Sequence, residues 1–412
     1  MMKESLLRLA EKYPAAAKAK HHYQSIRNSY YARQKINEKL IVFEAFRSTK
    51  YVDSPKAIYE YLLNAPQYKD YTFIWVFEHP EKYGYLKNER TKLVRHESHA
   101  HYMAFARAKY WVINGWIPLR FAKKPGQVVL QCWHGTPLKR LRHDIISSVD
   151  TEHKANALRD NDLDAERFDY FISPSRFATK AFTSAFNLKK LGKQDIVIET
   201  GYPRNDYLIN YKKSDVARIK EQLDVPKNKK LLLYAPTWRD DQNAQGGGYN
   251  YKLPIDFDYL KEKLGDEYVV LFRAHSLVAN SFDFGAHKGF IYDVSTVDDI
   301  NDLYIISDVL MTDYSSVFFD YANLKRPMIF YMYDLEHYAN DLRGFYFDIN
   351  ELPGAIVKAE KEIVAILQDT PSYQKKYAKK YQAFSRKFNY LDDGKATKRV
   401  VDILLPHKER KR

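Results

Sequence analysis

His134 stands at the end of a short apolar run, in Gln131-Cys132-Trp133-His134-Gly135-Thr136-Pro137-Leu138-Lys139. An imidazole titrates near about 6.5, which suits a general base acting on a hydroxyl nucleophile. Gly135 lets the backbone turn sharply and approach a ligand closely. Thr136-Pro137-Leu138 reads as a helix start, whose backbone donors can hold phosphate. The plainer alternative is a turn histidine satisfied by backbone. A strand end, a glycine and a following basic segment together favour the base.

Arg273 and His275 stand two apart in Phe272-Arg273-Ala274-His275-Ser276, again straight after an apolar run. On an extended segment they point the same way and together could neutralise a diphosphate. A surface arginine beside a capping histidine is the competing reading. A third stretch, Met311-Thr312-Asp313-Tyr314-Ser315-Ser316, leads into Val317-Phe318-Phe319-Asp320. Ser315 and Ser316 at a helix N-terminus suit an anionic phosphate, or simply cap the helix. Asp320, one turn beyond Ser316, could accept from ribose hydroxyls or pair with Lys325 or Arg326. Two weaker stretches, Gly201-Tyr202-Pro203-Arg204-Asn205-Asp206 and Ala235-Pro236-Thr237-Trp238-Arg239, each put an arginine at a strand end. Arg239 is a candidate substrate ligand on that ground.

These residues need a scaffold that brings strand ends together. Short runs rich in Val, Ile, Tyr and Phe alternate with helical stretches: Ile41–Phe46, Tyr71–Phe77, Tyr110–Asn114, Val128–Trp133, Phe168–Ser173 and Ile196–Thr200. A second series follows at Lys230–Tyr234, Tyr268–Phe272, Phe290–Tyr292, Val309–Thr312, Met328–Tyr331 and Tyr346–Ile349. Ser54-Pro55 reads as a capping hydroxyl with proline at the first helical position. Such alternation predicts an α/β fold of parallel sheets covered by helices, with ligands outside the carboxyl ends of the strands. The polar and basic residues 1–40 read as a helical segment, with a helix over Ala15–Lys39. Residues 41–205 and 206–385 read as two Rossmann-like halves, and 386–412 as a terminal helix packing back across them. Gly246-Gly247-Gly248 reads as a flexible loop tip.

The chain of 412 residues carries 66 basic and 52 acidic side chains, a net charge of +14. That balance favours polyanions: nucleic acid, anionic lipid or phosphate polymers. Tyr373, Tyr377, Tyr381 and Phe384 recur at helical spacing among Lys375, Lys376, Lys379, Lys380, Arg386 and Lys387. This stripe is a packed helix face or a surface for a phosphate polymer or lipid. The single Cys132 allows no intrachain disulfide, fits a reducing compartment and provides no zinc spacing. No apolar run of about 18 residues occurs, so no transmembrane helix is expected. No secretory signal is evident. A phosphate-binding Walker loop, a glycine-rich dinucleotide fingerprint and a Gly-x-Ser-x-Gly elbow are all missing from the sequence.

Taken in order, the motifs resemble the CDP-glycerol glycerophosphotransferase family of teichoic-acid and capsule synthesis, over about residues 40–405. Leu391-Asp392-Asp393-Gly394-Lys395-Ala396 belongs to the same pattern. The resemblance implies a GT-B-like pair of Rossmann-like domains with the donor in the cleft. It implies His134 as the base on the acceptor hydroxyl and His275, with Arg273, on the donor phosphates. Asp313, Ser315 and Ser316 map onto the donor phosphate and glycerol region; residue type and spacing, apart from the resemblance, add Gly135, Thr136, Arg239 and Asp320 as expected substrate contacts. The implied partners are a CDP-polyol donor, an undecaprenyl-diphosphate-linked acceptor and the anionic cytoplasmic face of the cell membrane, with no nucleic acid. No cofactor and no protein-held metal are expected, beyond Mg²⁺ loosely bound to the diphosphate. CDP-ribitol as donor, or a GT-B glycosyltransferase using a nucleotide sugar, are the rival readings. The short stretch before the first strand leans toward a primase or compact transferase over a polymerase. A non-catalytic nucleic-acid binder would leave the histidine motifs unexplained.

Overall fold

The computed structural model describes residues 29–145, 152–237, 255–274, 284–335 and 344–406. Two all-parallel sheets organise them. The first runs in the order β3-β2-β1-β4-β5-β6-β7, from β1 (Asn37–Glu44), β2 (Thr72–Phe77), β3 (Thr91–Arg95), β4 (Ala108–Ile113), β5 (Val128–Gln131), β6 (Tyr170–Ser173) and β7 (Val197–Glu199). The second runs β10-β9-β8-β11-β12-β13, from β8 (Lys230–Ala235), β9 (Tyr268–Phe272), β10 (Ile291–Asp293), β11 (Val309–Thr312), β12 (Met328–Tyr331) and β13 (Ala355–Val357). Strand order reverses between β1 and β4 in the first sheet and between β8 and β11 in the second. Such switch points open a crevice at the strand carboxyl ends.

The strands are apolar on both faces because helices cover both. In β1, Ile41 and Phe43 join Trp75 and Phe77 on one side, while Leu40 and Val42 join Trp111 and Phe105 on the other. Each such side chain contributes about 1.5–3 kcal/mol by leaving water. The final helix, Ala396–Leu404, returns to the first sheet, where Val400, Val401 and Leu404 are buried beside Tyr59 and Leu62. Helix Thr370–Phe388 stays with the second sheet through Phe384 and Phe388. It therefore runs unbroken through position 386, and the chain crosses back only after it.

Several sequence expectations need correction. The first strand begins at Asn37, so Asn37–Lys39 are not helical; the rest of the expected helix up to residue 28 lies outside the described residues, as does Gly246-Gly247-Gly248. β3, Thr-Lys-Leu-Val-Arg, was not expected, because an edge strand carries charges that mask its alternation. Tyr346–Ile349 is not a strand. Phe345 and Phe347 pack on the second core as side chains, and Tyr346 N–H donates to Leu138 O at 3.0 Å across the two halves. The sixth strand is β13. Ser54 does not cap its helix by a side-chain hydrogen bond. The helix opens at Asp53, in the left-handed region at φ 68°, whose Oδ1 accepts the Ser54 N–H at 2.5 Å.

Candidate active site

The turn after β5 is what presents His134. Gln131 is buried, and its amide bridges the turn: Oε1 accepts from Trp133 N–H at 2.9 Å and Nε2 donates to Gly115 O at 2.9 Å. Trp133 adopts φ 52°, a strained conformation for a residue with a Cβ. Its indole is held against Phe186, centroids 5.0 Å apart, and this packing supports the strain. The chain thereby throws His134 across to the switch point, where its ring stacks on Trp133 at 4.1 Å.

His134 Nδ1 lies 2.9 Å from Asn114 O, one residue past β4. A carbonyl only accepts, so Nδ1 carries the proton and Nε2 is left with its lone pair. Burial lowers the His134 pKa below the ordinary histidine value. The Asn114 carbonyl and Asp53 oppose that shift, and Arg204 and Arg142 add to it. The outcome is a neutral imidazole with its basic nitrogen fixed by the other one. Asn114 also accepts from Phe46 N–H through Oδ1 at 2.8 Å, tying the end of β1 to the same point. Sequence reasoning missed Asn114. Its signal was a lone amide closing the apolar run Trp111-Val112-Ile113.

Two cavities, of about 230 and 470 Å³, meet at His134 and Ser316, which line both. Gly135, Thr136, Ser315 and Thr237 line the smaller; Arg273, Asp298, Arg204 and Asp320 line the larger. The two sheets therefore bring His134, Gly135, Thr136, Arg273, Ser315, Ser316 and Asp320 to one cleft. Gly135 is required by closeness: a Cβ there would lie 3.1 Å from Ser316 Oγ in the opposite half. Arg273 anchors Nη1 on the carbonyls of Val294 (3.3 Å) and Val297 (2.7 Å). Among the described residues no acceptor takes its Nη2. His275 and Arg239 lie outside the described residues.

Asp313 sits at the second switch point. Its Oδ1 accepts from Thr237 N–H at 2.8 Å and Tyr314 N–H at 2.6 Å, so it binds the ends of β8 and β11 together. The helix after Ser316 is only Val317–Tyr321, and Ser315 Oγ accepts from Val317 N–H at 3.5 Å. So short a helix contributes little dipole. Asp320 pairs with neither Lys325 nor Arg326: it takes Arg204 Nη2 at 2.7 Å and Asn205 Nδ2 at 3.0 Å. Arg326 donates instead to the carbonyls of Tyr304 and Ile305. Arg204 donates its other arm to Asp53 at 2.9 Å, so one buried guanidinium joins both halves. Asp392 completes the joint, accepting from Asn205 at 2.8 Å, Asn323 at 2.9 Å and Tyr202 N–H at 3.1 Å. Sequence reasoning ranked Arg204 among the weak signals; its two carboxylate partners, Asp53 and Asp320, stand far apart in the chain. Among the described residues no group of three or more His, Cys, Asp or Glu is placed to hold a metal ion.

Residues 26–406 match the profile of the family described as CDP-Glycerol:Poly(glycerophosphate) glycerophosphotransferase. The chain belongs to that family. It is 42% identical over 382 residues to the teichoic acid poly(glycerol phosphate) polymerase of Bacillus subtilis (strain 168), covering 90% of this chain and 49% of the relative. The chain thus spans about half the length of the first curated relatives it matches. The polymerase of the same description from Bacillus spizizenii is 40% identical, with 90% of this chain and 92% of the relative covered. Among solved structures, the wall teichoic acid polymerase TagF soaked with CDPG superposes with a TM-score of 0.84 at 38% identity, over 92% of this chain and 93% of that one. The two-domain Rossmann-like fold is therefore shared with the glycerophosphotransferase family.

Proposed function

We propose that this protein transfers glycerol phosphate from CDP-glycerol to the terminal hydroxyl of a teichoic-acid-type acceptor linked to a membrane lipid, releasing CMP. The observation that carries the reading is the neutral His134, its Nδ1 held by Asn114 O and its ring at the junction of both cavities. Family membership supports the donor and polymer class. Nε2 of His134 takes the acceptor proton as the oxygen attacks the phosphorus next to glycerol. The bond from that phosphorus to the bridging oxygen breaks, and CMP leaves with the electron pair. Arg273, His275 and the hydroxyls of Ser315 and Ser316 receive the charge on the donor phosphates.

Arg239 and Thr136 belong to the proposed donor contacts, and Gly135 gives them room. Asp320 serves ribose only while also holding Arg204, so its proposed role is to orient the cleft wall. The acceptor carries a polyanion and a lipid, which puts the reaction at the cytoplasmic face of an anionic membrane. No helix among the described residues is long and apolar enough to cross one. No protein-held metal enters the proposal; assays with and without EDTA separate it from Mg²⁺ carried by the donor.

The test is CMP release from CDP-glycerol and, separately, CDP-ribitol, with a lipid-linked disaccharide acceptor bearing or lacking one glycerol phosphate. Release that needs CDP-glycerol and an acceptor, and collapses in His134→Ala, is the expected result. Full turnover in His134→Ala removes the base. Turnover with CDP-ribitol alone replaces the donor, and failure of both donors sends the reading to nucleotide sugars.

A further inference from the structure

A cavity of about 770 Å³ lies away from the catalytic cleft, between helix Thr370–Phe388 and the turn Lys325–Met328 that enters β12. Its walls are Pro327, Met328 and the rings of Tyr373, Tyr377 and Tyr381. Tyr373 donates its hydroxyl to Met328 O at 2.6 Å, and Tyr381 donates to Ala322 O at 3.2 Å. Both hydroxyls are thus spent inward, and the rings offer apolar faces to the groove.

The rim has the opposite character. Lys325, Lys379 and Arg386 edge the groove, are exposed, and meet no acidic partner among the described residues. Helix Thr370–Phe388 contains Lys375, Lys376, Lys379, Lys380, Arg386 and Lys387 and no Asp or Glu at all. Such a helix repels its own copy, which disfavours a homodimer seated here. A bilayer is flat and wants a protruding apolar edge, whereas these aromatic faces are recessed. A groove with apolar walls and a cationic rim suits a flexible chain that alternates anionic phosphates with short carbon links.

We propose that this groove is a second binding site for the polyol-phosphate polymer, engaging acceptor units remote from the reacting end. The identity of the polymer rests on the transferase reading above. Holding the chain at a second point raises the effective concentration of its terminus at the cleft. Long acceptors are then retained better than short ones.

The probe is a lipid-free glycerol phosphate oligomer, fluorescently tagged, titrated with the full chain in the absence of CDP-glycerol. Lys379→Glu with Arg386→Glu reverses the groove rim. Lys375→Glu with Lys376→Glu makes the same charge change on the same helix outside the groove. A milder pair, Lys379→Gln with Arg386→Gln, is read if the reversed pair does not keep the wild-type melting temperature. The expected result is that wild type binds, rim variants weaken binding by about tenfold or more, and the off-groove pair stays within about twofold. Rim variants also give shorter products. Equal weakening by both pairs would mean a general basic field and overturn the groove. So would absence of wild-type binding, or equally tight, rim-dependent binding of oligodeoxythymidine. Rim-dependent binding to phosphatidylglycerol vesicles with polymer binding intact would assign the groove to the bilayer instead. CMP release by wild type is scored separately: binding without release defeats the transferase reading alone, and release without binding defeats the groove alone.

Discussion

At the scale of single residues, the cleft depends on groups whose roles are set by one neighbour each. The proposed base, His134, donates its Nδ1–H to Asn114 O, which leaves Nε2 free to accept, and burial lowers its pKa. His134→Ala is expected to lower kcat by about 10²–10⁴-fold. The sign of the pH effect follows from the lowered pKa. The imidazole stays unprotonated as pH falls past the ordinary value of about 6.5, so the acid limb of kcat/KM lies below it. A limb at or above that value in CMP-release profiles would contradict the burial argument. Gly135 faces Ser316 Oγ, 3.1 Å from where a Cβ would sit. Gly135→Ala is expected to cost about 1 kcal/mol or more by overpacking. Adding Ser316→Ala should restore most of that loss, and urea unfolding of the four proteins of this cycle measures the coupling.

At the scale of elements, the joint between the halves is built from charges in the first turns that follow strands. Arg204 comes after β7, Asp53 opens the helix after β1, and Asp320 sits in the helix after β11. Each carboxylate is buried and would be left uncompensated without the guanidinium. Arg204→Met is expected to destabilise by about 3–5 kcal/mol, seen as a lower denaturation midpoint. Arg204→Lys keeps charge but not the fork, so it should recover only part of the loss. Arg204 reads in the sequence as a weak strand-end signal and Asp320 as a ribose ligand or ion-pair partner, yet together they tie the two halves.

At the scale of the whole molecule, further contacts join the halves beyond that network. Tyr346 donates to Asp144 Oδ2 at 2.6 Å and accepts from Leu141 N–H at 3.1 Å, fastening the segment after His134 to the second half. Lys56 reaches Asp299 at 2.9 Å on another side of the cleft. Tyr346→Phe is expected to cost about 1–3 kcal/mol and to raise KM for the donor more than it lowers kcat, because the loop loses its fixed height over the cleft. The net charge of +14 is likewise a property of the whole. Sedimentation with phosphatidylglycerol vesicles should show binding that fades as ionic strength rises past about 0.15 M.

The sequence alone determined the parallel α/β halves, because strands buried on both faces must read as continuous apolar runs with helices between them. It also marked His134, Gly135, Arg273, Ser315 and Ser316, because strand ends in such sheets are where ligands bind. Local pattern failed at β3, where edge charges interrupt the run, and at Tyr346–Ile349, where aromatic side chains pack without a strand partner. It could not tell that Asp313 binds two loops, that Asp320 holds Arg204, or that Asn114 sets the His134 tautomer. Those roles were decided only by tertiary structure. Each depends on hydrogen-bond distance and burial between residues far apart in the chain, and neither quantity has a local signature.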